Sequence, residues 1–119
     1  MIQIQVKNVF EGTHWYADAP EEVSFLRSPH RHQFVVRTTI EVFDQDRELE
    51  FIIVQRKIRE FVLTLLGFRG TIDLGGHSCE WLAERVLQYI QNTYGSNRSV
   101  IVSVFEDDEN GAIISKGAN

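Results

Sequence analysis

The hydrophobic period changes twice along this chain, and that switch limits the folds open to it. Residues 2–7 alternate, with Ile2, Ile4 and Val6 on one face and Gln3, Gln5 and Lys7 on the other. That is the pattern of a half-buried strand; it runs past Phe10 and ends near His14. A second alternating stretch runs from His32 to about Phe43, with Phe34, Val36, Thr38, Ile40 and Val42 on one side, and breaks at Asp44 to Asp46. Residues 17–29 between them hold both prolines, Pro20 and Pro29, and read as a connecting loop. The spacing then turns helical. Val54, Ile58, Phe61, Val62, Leu65 and Leu66 predict a helix from about Phe51 to Leu66, closed by Gly67. A Gly-containing link from Gly70 to Gly76 leads to a second helix from about Cys79 to Thr93, with Leu82, Val86, Tyr89 and Ile90 buried. Ser78 is its N-cap and Gly95 its end. Strand patterning returns at Ser99 to Glu106 and Ala112 to Ser115, with Asn110-Gly111 as the expected hairpin turn. The order β-β-α-α-β-β predicts an α+β domain with a four-stranded antiparallel sheet and two helices on one face. Its open edges suggest continuation into a neighbouring subunit.

At 119 residues the chain is expected to form a single domain, 1–119, around one core. Acidic residues outnumber basic ones, 17 to 12, for a net charge of −5, and no basic block appears. Nucleic-acid binding by counterion release therefore has little to work with. The single cysteine, Cys79, has no intramolecular disulfide partner, which fits a reducing compartment. Residues 1–10 alternate where a signal peptide needs an apolar block. The longest apolar run, Phe51 to Val54, is too short for a membrane. A soluble, cytoplasmic protein is expected.

Chemistry concentrates at strand ends. His30 and His32 are two residues apart, so in an extended segment both rings share a face. His14 closes the preceding strand, and antiparallel pairing across the 17–29 loop brings it toward the pair. Three neutral imidazoles suit tetrahedral zinc with a fourth position left open, the pattern of a catalytic site. The plainer reading is surface histidines on a strand.

The surrounding residues favour the metal. Phe10-Glu-Gly-Thr-His14 followed by His30-Arg-His32 resembles the Phe-x-Ala-Ala-His and His-Gly-His segments of the 6-pyruvoyl-tetrahydropterin synthase and 6-carboxy-tetrahydropterin synthase family. The likeness runs the length of the chain. Leu49-Glu-Phe51 is similar to the segment opening the family's first helix. Ser78-Cys-Glu80 with Leu82-Ala83 is similar to the Thr-x-Glu-x-x-Ala entry to its second, and Val104-Phe-Glu106 to its pterin-binding strand. The resemblance implies the T-fold, which has this element order and assembles into a barrel, usually as a hexamer of two trimers. It implies Zn2+ held by His14, His30 and His32, acidifying neighbouring C–H and O–H groups of a bound substrate. It also implies that Glu106 accepts two parallel N–H donors from a pterin ring, with Ser78 and Glu80 beside it. For these two, helix capping and dipole compensation suffice as an explanation. For Glu106 the alternative is an exposed acid beside Asp107, Asp108 and Glu109.

The chain departs from the family at its proton-transfer groups. The position of the family's catalytic cysteine is Leu26, and an Asp-His pair before the second helix reads Asp73-Leu74. His77 and Cys79 lie close enough in sequence to substitute, His77 because it titrates near neutrality and Cys79 if its environment yields a thiolate. Their plainer readings are a loop histidine and an inert small residue. Arg31 stands where the family has Gly, its side chain expected to point away from the metal. Arg27 and Arg31 could meet substrate phosphates or remain solvated. Gln55 replaces a frequent Lys. Three functions follow as expectations. One is a zinc-dependent lyase acting on 7,8-dihydroneopterin triphosphate or a related pterin, serving pterin or queuosine-type 7-deazaguanine synthesis, with proton transfer by His77, Cys79 or Asp73. The second is a T-fold module binding zinc and a pterin or purine-like ring without ordinary turnover, and the third a structural oligomer whose histidines only link strands. Leu26 separates the first two.

Overall fold

The computed structural model describes residues 1–118. The first two strands pair antiparallel over their full length, β1 (Ile2–His14) against β2 (His30–Val42), in a register that sets Ile2 opposite Val42 and His14 opposite His30. Even-numbered residues of both strands face inward: Val6, Phe10, Phe34, Val36 and Ile40 are buried on that side. The connecting residues are not all irregular. Glu21–Arg27 forms a short 3-10 stretch with a kink at Val23. Arg27 braces it by donating two hydrogen bonds to the Ala19 carbonyl, at 3.0 and 2.7 Å.

The helices fall where their spacing predicts. Helix α1 (Phe51–Leu66) buries Val54, Ile58 and Val62, while Leu65 stays exposed and Phe61 is half-buried. Helix α2 (Cys79–Tyr94) buries Leu82, Val86 and Ile90 and adds Ala83 and Leu87; Tyr89 is only partly covered, stacked on Phe61 at 4.4 Å between ring centres. The Ser78 hydroxyl accepts the Trp81 N–H at 3.2 Å, the expected N-cap. Both helices share one buried cluster with the even face of the sheet.

The sheet itself is larger than the predicted four antiparallel strands. It has six, in the order β3-β4-β1-β2-β5-β6. The segment read as a Gly-containing link forms β3 (Gly67–Phe68) and β4 (Thr71–Gly75), an antiparallel pair turning at Arg69 and Gly70, both in left-handed conformation. β4 lies parallel to β1. The reason is the short alternation Thr71-Ile-Asp-Leu, which buries Ile72 and Leu74 in the core and leaves Asp73 outside. On the other side β5 (Val100–Glu106) pairs with β2 and with β6 (Asn110–Lys116).

The last hairpin turns earlier than Asn110-Gly111. Asp107 and Asp108 take positive φ, 53° and 56°, and Glu109 N–H closes the turn on the Glu106 carbonyl at 2.9 Å. Two successive left-handed residues suit the twist of the flanking strands, and Asp tolerates that conformation better than most side chains. Gly111 sits inside β6, where a Cβ would collide with the Val104 carbonyl. Among the described residues no helix is long and apolar enough to cross a membrane.

Candidate metal centre and cleft

Register and parity assemble the site. His14 faces His30, Gly12 faces His32, and Phe34 faces Glu106 across neighbouring strands. His14, His30, His32 and Glu106 are all even-numbered, so they share the helix-covered face, at one end of the sheet, where α2 begins. Gly12 permits the tight packing: a Cβ there would lie 2.6 Å from the Ile72 side chain. A register shift between Thr13 and His14 against β4 bends the end of β1 beside the site.

The three expected metal histidines converge. One ring nitrogen from each lies within 4.8 Å of the others, and the ring centres are 4.6 to 5.4 Å apart. Their hydrogen bonds fix which nitrogens face inward. His30 Nδ1 meets the Ser28 carbonyl at 2.8 Å, an acceptor, so Nδ1 carries the proton and the buried, unpartnered Nε2 keeps its lone pair. His32 Nδ1 meets Asp107 Oδ2 at 2.7 Å, with the same consequence for its Nε2. That Nε2 lies 3.2 Å from Glu106 Oε2 but without hydrogen-bond geometry, and has no other partner. His14 Nε2 lies 3.2 Å from Glu106 Oε1. Burial, foremost, lowers the His14 pKa below its usual 6.5; Glu106 opposes this and the neighbouring His30 adds to it. Neutral imidazoles thus point lone pairs at one another and at a carboxylate, an arrangement a divalent cation would relieve. Three nitrogens with open space beside them suit zinc's preference for imidazole, so these residues fit the metal.

A cleft of about 600 Å³ opens beside the histidines, lined by His14 and His30 and walled by Trp15, Tyr16 and Trp81. Glu106 forms part of its floor, and Ser78 and Glu80 line it from the start of α2. Leu26 lines it as well, so the position of the family's cysteine faces the cleft with an inert side chain. His77 lines it and lies flat on Trp81, 3.8 Å between ring centres and 7° from parallel.

The other two proton-transfer candidates stand differently. Cys79 lines the cleft but is buried, and its Sγ donates to Glu106 Oε1 at 3.6 Å. Burial first, then the Glu106 charge, push its thiol up to about 12, the opposite of the thiolate the sequence reading required. Asp73 lies outside the lining; its Oδ1 accepts the Gly75 N–H at 2.8 Å and lies 3.5 Å from Thr13 Oγ1. Arg27 is occupied by Ala19, and Arg31 is exposed on the face opposite the histidines, as its odd position requires.

Sequence reasoning passed over Asp107, which it treated as part of a solvated acidic run. Each carboxylate of that run has its own partner: Glu106 at the histidines, Asp107 at His32, and Asp108 on Arg37 at 2.8 and 3.1 Å. The Gln33 N–H and then His32 hold the Asp107 carboxyl below its ordinary value, and Arg37 does the same for Asp108. The available signal was positional: two turn-tolerant Asp residues directly after a strand ending in Glu106. No family model matches the chain, and no curated protein matches it.

Proposed function

We propose that this chain is a zinc-dependent pterin-processing lyase of the 6-pyruvoyl/6-carboxy-tetrahydropterin synthase type, in which His77 takes the proton-transfer role. The observation that carries this reading is the convergence of three imidazole lone pairs on the floor of an aromatic-walled cleft that also holds one carboxylate, Glu106. His14, His30 and His32 would hold Zn2+, which when bound would polarise substrate hydroxyls and acidify neighbouring protons. Glu106 is an acceptor-only fork, suited to two N–H donors on a pterin edge. Trp15, Tyr16 and Trp81 offer flat apolar surface to a ring and exclude water around it. His77, fixed on Trp81, moves the proton; Leu26 cannot, and the buried Cys79 thiol stays protonated. Among the described residues the lining has Glu80 and Glu106 and neither Lys nor Arg, which favours recognition of the ring end over a phosphate tail. Assembly through the exposed edges of β3 and β6, as in the family's hexamer, belongs to the same proposal.

The second reading, a zinc- and ring-binding module without ordinary turnover, is favoured by the same Leu26 and by the high thiol pKa of Cys79. The test is product analysis after incubating zinc-loaded protein with 7,8-dihydroneopterin triphosphate, alongside two variants. Glu106→Ala abolishes pterin binding under either reading. His77→Ala lowers turnover by about 10²–10⁴-fold and leaves binding nearly intact only for the lyase. Full activity in His77→Ala places proton transfer elsewhere, and tight binding without turnover in the unaltered protein favours the module.

A further inference from the structure

We infer that Asp107 is the positioning residue of the metal centre: it fixes the His32 tautomer and makes that imidazole a stronger ligand. The inference rests on the metal reading of the three histidines and deepens it.

The carboxylate is held from both sides. Oδ2 lies 2.7 Å from His32 Nδ1, while Oδ1 accepts the N–H of Gln33, the residue after His32, at 2.9 Å. The Asp107 N–H in turn donates to the Gln33 carbonyl at 2.7 Å. Asp107 is thus clamped to the main chain of β2 immediately beside the ring it addresses, and its separation from His32 is set by strand pairing. The turn that carries it is held as well. Both central residues take the left-handed conformation, and Arg37, also on β2, grips Asp108 with a two-pronged contact.

The chemistry follows from valence. An ionised carboxylate only accepts, so His32 must present its proton at Nδ1 and its lone pair at Nε2. That Nε2 is the nitrogen facing Glu106 and the other two rings, buried and without a hydrogen-bond partner. A negative partner on the far side of an imidazole raises its basicity toward a metal, and such carboxylates are worth about 10–100-fold in metal affinity. His30 differs: its Nδ1 meets a neutral carbonyl, that of Ser28. The two ligands of the His-x-His pair are therefore tuned unequally, with His32 the stronger donor.

The test uses the full chain and two variants that keep the turn. Asp107→Gly accepts positive φ without strain and removes the carboxylate; Asp107→Asn tolerates the same φ and keeps a neutral acceptor. Zinc affinity is measured by competition with a chromophoric chelator, and the His32 tautomer by nitrogen NMR of metal-free protein above the imidazole titration. The expected result is a loss of about 10–100-fold in zinc affinity for Asp107→Gly, with His32 no longer held in the Nδ1-protonated form. Asp107→Asn recovers the tautomer and part of the affinity. Unchanged affinity in Asp107→Gly, or weakened affinity with an unchanged tautomer, overturns the inference. An unaltered protein that binds no zinc overturns the metal reading itself and this inference with it, a failure recognisable because it appears before any substitution.

Discussion

The two ends of β2 carry polar clusters built from similar parts and left in opposite states. At the far end Arg98, buried, donates to the Tyr94 and Glu41 carbonyls at 3.1 and 3.0 Å and pairs with Glu48 at 2.8 Å. Glu48 also accepts the N–H groups of Phe43 and Asp44, and Glu41 accepts that of Ser99. One cation meets its acceptors, and the guanidinium lies over Phe43, 5.0 Å from the ring centre. At the near end His14, His30, His32 and Glu106 bring acceptors against acceptors, with two ring nitrogens unpartnered. Buried polar groups are normally satisfied, so an exception calls for an explanation. A closed cluster holds the fold together, whereas an open one leaves valence for something that arrives.

The largest test of this contrast is a double dissociation. His30→Ala with His32→Ala lowers bound zinc from about one ion per chain to none, while the metal-free fold survives, because the lost nitrogens were unpartnered. Arg98→Ala does the reverse: zinc content is unchanged, and stability falls by about 1–3 kcal/mol as buried carbonyls lose their donors. Elemental analysis and urea denaturation on both variants decide it. Equal zinc in the double variant and the unaltered protein would end the metal assignment.

How much of this was visible in the sequence depends on the range of the interaction. α1 was legible to the residue, because a 3.6 period with Gly67 at its end is local information. The three histidines were legible as a group because a period of two puts His30 and His32 on one face, and the full-length pairing of β1 with β2 delivers His14. β3 and β4 were not. Ile72 and Leu74 are too short an alternation to stand alone, and β4 is a strand only because β1 lies parallel beside it. The last turn was misplaced because Asn-Gly is the stronger local signal, yet pairing of Glu106 with Asn110 gives Asp107 and Asp108 the turn. Asp107 as a partner of His32 depends on that register, which no local pattern carries. The Cys79 thiol was misjudged for a similar reason: its burial and the proximity of Glu106 are properties of the packed site.

A second test uses pH on the metal-free protein. His14 has a folded pKa below its unfolded value near 6.5, so folding favours the neutral ring. The stability this contributes is present above pH 6.5 and is lost as pH falls through the lowered folded value. Asp107 and Asp108, both held below 3.8, add a further loss only in more acidic solution. Cys79 acts at the other extreme. Raised from 9.0 to about 12, it favours the folded state fully below pH 9.0 and loses that contribution as pH rises through about 12. Denaturation midpoints that decline on acidification through pH 6.5 support a neutral, buried His14. A flat profile there means the histidine end is as closed as the Arg98 end.

The smallest effect probes the open valence directly. With neutral imidazoles and no metal, the His32 proton goes to Asp107, so its Nε2 and Glu106 Oε2 face each other as two acceptors 3.2 Å apart. Glu106→Gln converts one of those oxygens into an N–H donor of nearly the same shape. The amide can then hydrogen-bond an imidazole lone pair, a gain of about 0.5–1.5 kcal/mol in the metal-free protein. Zinc would already occupy those lone pairs, so the gain should vanish in the loaded protein. The substitution therefore stabilises the fold in the presence of a chelator while weakening pterin binding, the trade expected where a site is kept poorly satisfied for its ligand. Urea denaturation with and without zinc reads both halves. A Gln variant less stable than the unaltered chain under chelator would show that protonated imidazoles already donate to Glu106, and that the two ends of β2 are closed alike.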